Sequence, residues 1–180
     1  MNLEGKEESL SAPSNWYHTP AISPDVTKVA SAVLIDANLD IYIWDIARET
    51  LMRLTFEKGS DVLPLWTHYG KRIIFTSERE GNRGIYWKAA DGTGEMEKLV
   101  SIPDKNLFPW YLLKDGKTLV VVEMDSDYTH SFYEDYQVPG INVRTAEKLQ
   151  IISIKGGGKR RRWFRSNLKL FKMSRSDTES

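Results

Sequence analysis

The chain of 180 residues contains no cysteine, which excludes disulfides, thiolate metal sites and cysteine nucleophiles. It carries no net charge. Its 25 basic side chains balance 25 acidic ones, so no overall field draws it to nucleic acid or to an anionic membrane. No run approaches the about 18 apolar residues that a membrane-spanning helix requires. The start, Met1-Asn2-Leu3-Glu4-Gly5-Lys6-Glu7-Glu8, is acidic and polar where a secretory signal is basic and then apolar. As written, the chain is expected to stay in the cytoplasm where it is made, or in the periplasm if it is a fragment of a larger exported protein. Catalytic signatures are missing too. There is no Gly-x-Ser-x-Gly elbow, no His-Glu-x-x-His, no phosphate-binding Gly-x-x-x-x-Gly-Lys-Ser/Thr loop, and no kinase His-Arg-Asp or Asp-Phe-Gly. His18, His68 and His130 stand singly in presumed turns or loops. The expectation is a protein that is not an enzyme, with no catalytic residue, no cofactor and no metal.

What the chain does have is a repeat. Asp40-Ile41-Tyr42-Ile43-Trp44 answers Gly84-Ile85-Tyr86-Trp87, and Leu65-Trp66-Thr67-His68-Tyr69-Gly70-Lys71 answers the stretch from Pro109 to Lys117 with one inserted residue. The Ile22-Ser23-Pro24-Asp25 corner lies 44 residues before Trp66, and Trp66 lies 44 before Trp110. A period of about 40 to 45 residues, with an aromatic strand and a polar turn in each unit, marks a β-propeller blade rather than a helical solenoid. The predicted fold class is all-β: a partial propeller of about three four-stranded antiparallel blades plus the start of a fourth.

The predicted organisation follows the turns. Residues 1–17, rich in Glu, Ser, Asn and Pro, read as a flexible leader. Propeller repeats run over 18–173, with blades at 18–55, 62–100 and 107–153 and a partial blade at 159–173; residues 174–180 are an expected disordered tail. The second unit is clearest: Arg72-Ile73-Ile74-Phe75-Thr76-Ser77 is a strand, Gly84 to Ala90 another, and Asp91-Gly92-Thr93-Gly94 a turn suited to positive φ. Beyond Val122 the register slips, because Trp163 lies 53 residues past Trp110. An enlarged loop through Asp125 to Tyr136 absorbs the excess if Ile141–Arg144 and Leu149–Ile152 supply the remaining strands of the third unit. Strands this short, separated by turns, imply antiparallel hairpins.

Ser23-Pro24-Asp25, Trp66-Thr67 with Gly70-Lys71-Arg72 and the strand that follows, and Trp110 with Lys114-Asp115-Gly116-Lys117 resemble the repeats of TolB-like propellers, in which a Trp-Ser-Pro-Asp-Gly-Lys corner precedes a strand. Val26 and Tyr69 stand where that pattern has Gly and Asp. The resemblance implies the fold and says little of function. Such repeats occur in translocation protein TolB, in domains attached to bacterial serine/threonine kinases, and in propellers joined to prolyl-oligopeptidase-like and tricorn-like peptidases. Members of the family close six or seven blades, so the resemblance also implies a fragment or truncated frame.

Trp44, Trp66, Trp87, Trp110 and Trp163 are expected to pack between blades, with Trp66 and Trp110 in equivalent buried places. The strip 155–165, with six basic residues, a glycine run and two aromatics, has the ingredients of a phosphate-binding surface. Its Trp163 belongs to the repeat, however, which favours a solvated inter-blade loop. Asp125, Asp127, Glu134 and Asp135 lack the EF-hand spacing and read as a solvated acidic loop. The leading functional expectation is a non-catalytic module for protein–protein interaction or scaffolding, with an unidentified protein partner. Alternatives are an accessory or sensor segment of a bacterial Ser/Thr kinase or propeller-gated peptidase, and a nucleic-acid binder through 155–165. Because the terminal blades look uncapped, self-association through open blade edges is also expected.

Overall fold

The computed structural model describes residues 10–126, 141–145 and 150–156. Among them it contains strands and no helix, hence no helix long and apolar enough to cross a membrane. Numbered in chain order, β1 (Tyr17–Ile22), β2 (Lys28–Ile35), β3 (Asn38–Asp45) and β4 (Thr50–Arg53) form the first sheet in that order. The second sheet repeats it with β5 (Asp61–Trp66), β6 (Arg72–Glu80), β7 (Asn82–Ala89) and β8 (Glu97–Val100). The third contains β9 (Lys105–Leu112), β10 (Thr118–Asp125), β11 (Ile141–Thr145) and β12 (Gln150–Gly156). Consecutive sheets stack as propeller blades do: β5 packs on β1, β2 and β3, and β9 packs on β5, β6 and β7.

The cores lie between blades. Ala30, Ala32, Ile41, Ile43 and Leu54 of the first meet Trp66, Ile73, Phe75, Tyr86 and Ala90 of the second. Ile74, Ile85 and Leu99 then meet Leu107, Leu112, Leu119 and Val121 of the third. A middle blade buries both faces of its sheet, which is why Ile73-Ile74-Phe75 is apolar without alternation: odd and even residues serve different interfaces.

The turn that follows each first strand sets the true repeat. Val26 N–H bonds the Ser23 carbonyl, Gly70 N–H that of Thr67, and Gly116 N–H that of Leu113, while Ser23, Thr67 and Leu113 each donate to the carbonyl of the residue five further on. The spacing is therefore 44 residues and then 46. The structural equivalent of Trp66 is Leu112, since Trp66 pairs Ile73 and Leu112 pairs Leu119. Trp110 instead matches Pro64 and Pro20, at a point where all three first strands bulge. A bulge accommodates a proline that cannot donate to the ladder. In β9 the register steps over Trp110, from Pro109↔Val121 to Tyr111↔Val120. The expectation that Trp66 and Trp110 are equivalently buried is thus corrected: Trp66 is 6% exposed and Trp110 54%. The extra residues lie upstream, in the longer β7–β8 connection through Asp91 and Gly94, and not between Trp110 and Lys114 as the sequence alignment placed them.

The third blade differs from the first two in one pairing. Its strand order is β11-β12-β10-β9, and β10 and β12 run parallel, with Thr118 opposite Gln150 and Met124 opposite Gly156. An all-antiparallel meander would have set β11 beside β10. A parallel neighbour requires a long crossover, and residues 126–149 supply one. The expected partial blade at 159–173, the tail at 174–180, His130, Trp163 and all of the basic strip beyond Gly156 lie outside the described residues. So do Asp127, Glu134 and Asp135.

Candidate functional site

The three β-turns at 23–28, 67–72 and 113–118 form one rim because each touches the next. A Cβ at Gly70 would lie 3.7 Å from the Pro24 ring, and one at Gly116 3.4 Å from the His68 imidazole. His68 Nε2 also bonds the Leu113 carbonyl, and Trp66 Nε1 donates to the Ala21 carbonyl at 2.9 Å.

Each turn is held by its own side chains. Asp25 Oδ1 accepts the Ser23 hydroxyl at 2.6 Å, the Thr27 hydroxyl at 2.9 Å and the Thr27 amide at 3.2 Å. Those bonds, the Ser23 hydroxyl foremost, hold its carboxyl below the usual carboxylate value. Burial alone would raise Asp115, yet the amides of Lys117 and Thr118 and the Thr118 hydroxyl bring it down. The middle turn has Tyr69 where an aspartate would stand. There the Thr67 hydroxyl accepts the Arg72 amide at 3.1 Å, as the Ser23 hydroxyl accepts that of Lys28 at 2.9 Å in the first turn.

Along this rim the chain exposes large apolar side chains. Tyr69 is 89% exposed and Tyr111 50%, with Ile22, Val26 and Trp110 also open to solvent. Lys71, Lys114 and Asp115 sit exposed among them. Rigid aromatics on a stitched scaffold present contact area at low entropic cost, which suits recognition of a protein surface. Of the five, the sequence marks Val26 and Tyr69 as breaks in the corner pattern and Trp110 as a core residue, while Ile22 and Tyr111 carry no signal of exposure, Tyr111 standing next to buried Leu112.

A buried polar network joins the first two blades. Arg53 reaches Asp40 at 2.6 Å, and Arg79 forks onto Asp61 at 3.2 Å to each oxygen. The Thr55 hydroxyl bonds Asp40 at 3.2 Å and also favours ionised Asp61, so one side chain serves carboxylates of two blades. Burial nonetheless raises Asp61 above its ordinary value, against Ser77, Thr55 and Arg79. Tyr86, under the Arg79 guanidinium, is pushed up to about 12 by burial and then by the Glu80 charge. Paired and hydrogen-bonded, these groups fix the packing of the blades.

Of the repeated tryptophans, Trp44 and Trp66 are buried, and half-buried Trp87 lies beneath Arg72 at 4.1 Å. His18 lies beside Trp16, their rings 6.4 Å apart. Among the described residues no group of three or more His, Cys, Asp or Glu is placed to hold a metal ion.

The family model of the TolB beta propeller domain matches residues 1–151. The chain belongs to the TolB beta-propeller family. Over 93 residues, 52% of this TolB-family chain, it is 25% identical to the Tol-Pal system protein TolB of Helicobacter pylori strain 26695, of which the match covers 22%. The J99 strain's protein matches to the same extent. A solved structure assigned as TolB from Agrobacterium tumefaciens superimposes with a TM-score of 0.57 at 25% identity, covering 74% of this chain and 44% of that one. TolB from Acinetobacter baumannii gives 0.53 at 19% identity, covering 85% and 44%, and a puromycin-hydrolysing peptidase from Mycobacterium tuberculosis 0.53 at 15%, covering 81% and 28%. The last two likenesses are of fold alone. The chain spans about a fifth of the length of the curated TolB relatives it matches.

Proposed function

We propose that this chain is a non-catalytic propeller module that docks a protein partner on the rim formed by its three stitched turns. The observation that carries the reading is the exposure of Val26 and Tyr69 on turns that brace one another, with Ile22, Trp110 and Tyr111 exposed on the strands that lead into them. Relatives named as Tol-Pal system proteins support a role within a multi-protein assembly, and a component of such a system is the partner to test first. On this reading the place of action follows the partner, in the periplasm if the chain is part of a longer exported protein.

Site-specific photo-crosslinking in cells tests it. A benzoylphenylalanine at position 69 is expected to give a discrete protein adduct, lost on Trp110→Ser with Tyr111→Ser. The same probe at Asp36, an exposed residue of the β2–β3 turn at the other end of the first sheet, is expected to give none. Equal adducts from both ends would overturn the rim as the docking site. An adduct with a kinase or peptidase would assign the accessory role instead.

A further inference from the structure

The first sheet's outward face carries Val29, Ser31, Tyr42 and Trp44. In register these are the positions of Ile73, Phe75, Tyr86 and Lys88: Val29 and Ile73 each follow the turn's last residue, and the pair Ser31↔Tyr42 matches Phe75↔Tyr86. In the second sheet Ile73, Phe75 and Tyr86 are buried against the first. The outward face of the first sheet is thus built to the plan of a face that receives a neighbour. Tyr42 and Trp44 are accordingly buried, 9% and 5% exposed, although no other sheet among the described residues lies on them.

Among the described residues, Leu10 and Ala12 of the segment 10–16 lie over that face, beside Tyr17 and Pro20 of β1. Tyr17 donates its hydroxyl to the Pro13 carbonyl at 2.7 Å, Ser11 donates to Glu49 Oε1 at 2.9 Å, and the Leu34 amide donates to the Trp16 carbonyl at 3.3 Å. The cover is thin: within 10–16 only Ala12 is even half-buried. Beside it is a half-open hollow of about 160 Å³ lined by Leu10, Ala12, Val29, Ser31, Trp44 and Leu51, among others. Its origin is one substitution in the repeat pattern. Ser31 stands where the second blade seats the fully buried ring of Phe75, so the hollow is a missing aromatic side chain.

We propose that this hollow is a binding site for one aromatic side chain on an extended partner peptide, which lies across the first blade in place of residues 10–16. The strap displays the binding mode, a non-helical segment laid over the face and tethered at Glu49. The missing ring at Ser31 sets the side chain the hollow accepts. The site is distinct from the turn rim and stands or falls independently of it.

Two measurements on the full chain test the proposal. Benzene, as a probe of the hollow, raises the melting midpoint of the parent, and Ala12→Phe raises the midpoint by itself while abolishing the benzene response. A parent indifferent to benzene, or an Ala12→Phe chain that melts lower and still responds, overturns the site. In the second, a labelled peptide of residues 10–16 carrying Ala12→Phe is titrated by fluorescence anisotropy. Ser11→Ala with Tyr17→Phe removes both side-chain tethers of the strap, and binding to this chain is expected to be about tenfold tighter than to the parent, because the resident strap competes less. Equal affinity for the two chains, or no binding to either, refutes exchange.

Discussion

Replacing Val26 by glycine is expected to stabilise the protein even though it deletes a side chain. Val26 holds φ of 61° at the turn position where Gly70 and Gly116 hold 66° and 63°. A left-handed conformation costs an ordinary L-residue about 1–2 kcal/mol, and β-branching makes it no easier. Val26 is largely exposed, so its removal forfeits little burial. Against the relief stands the greater freedom of glycine in the unfolded chain, about 0.5–1 kcal/mol. The net gain is about 0.5–1 kcal/mol, or about 1–4 °C in melting midpoint for a chain of this size. Gly70→Val supplies the mirror experiment. A Cβ there meets the Pro24 ring at 3.7 Å, an ordinary contact, so its net loss of about 0.5–1 kcal/mol is backbone strain offset by the lost freedom of glycine in the unfolded chain. Urea unfolding of Val26→Gly, Val26→Asn and Gly70→Val against the parent reads all three, with Asn between Val and Gly because it tolerates positive φ. A Val26→Gly midpoint at or below the parent's, with Gly70→Val unchanged, would refute the claim that these turns share one strained position.

Trp66→Ala is expected to cost about 3–5 kcal/mol, since it empties an inter-blade core and orphans the Ala21 carbonyl. Trp110→Ala should stay within about 1 kcal/mol, and equal losses for the two would restore the alignment rejected above. Asp61 responds to pH in the opposite sense to the exposed turn carboxylates. Its raised folded value means that its stability contribution is full below the unfolded pKa and is lost as pH rises through the folded one. Asp25, Asp45, Asp91 and Asp115 are lowered, and contribute stability that is lost as pH falls. Asp61→Asn removes that opposing contribution, so the loss of stability that the parent shows as pH rises through the folded Asp61 value should be absent from the variant; parallel profiles would contradict it. Thr55→Val should lower stability by about 1–3 kcal/mol by stripping a hydroxyl from the buried Asp40 and Asp61. A neutral Thr55→Val in denaturant titration would mean that the shared hydroxyl does not join the blades.

The blades could be read in the sequence where local chemistry is sufficient. Lys114-Asp115-Gly116-Lys117 needs a positive φ at Gly116, and Thr118 to Val122 has the apolar run of a strand buried on both faces. Alternation identifies a strand but not its neighbour, so nothing in Ile141–Thr145 or Gln150–Gly156 announces that the later strand sits beside β10. Trp110 misled for a related reason. A fixed count of 44 ignores the longer turn through Asp91, and two residues of drift carry a tryptophan from core to bulge. Residues 10–16 have the composition of a linker, and only their position over Tyr42 and Trp44 makes them part of the fold. The candidate rim was half visible: the turns could be read, but β-strand chemistry alone does not say that Ile22 and Tyr111 face solvent.

The parallel pairing of β10 with β12 bears on the order in which the chain can fold. Each of the first two blades closes from neighbouring hairpins, so every pairing becomes available as soon as its own segment leaves the ribosome, and loop closure costs little. The third blade must wait. Its β9–β10 hairpin can form early, but the strand that completes β10's second edge arrives only with residues 150–156, after β11 has been made and set aside. Until then the open edge of β10 is the place where a nascent chain can recruit the wrong strand, and the β11–β12 hairpin closes that interval by docking as a unit.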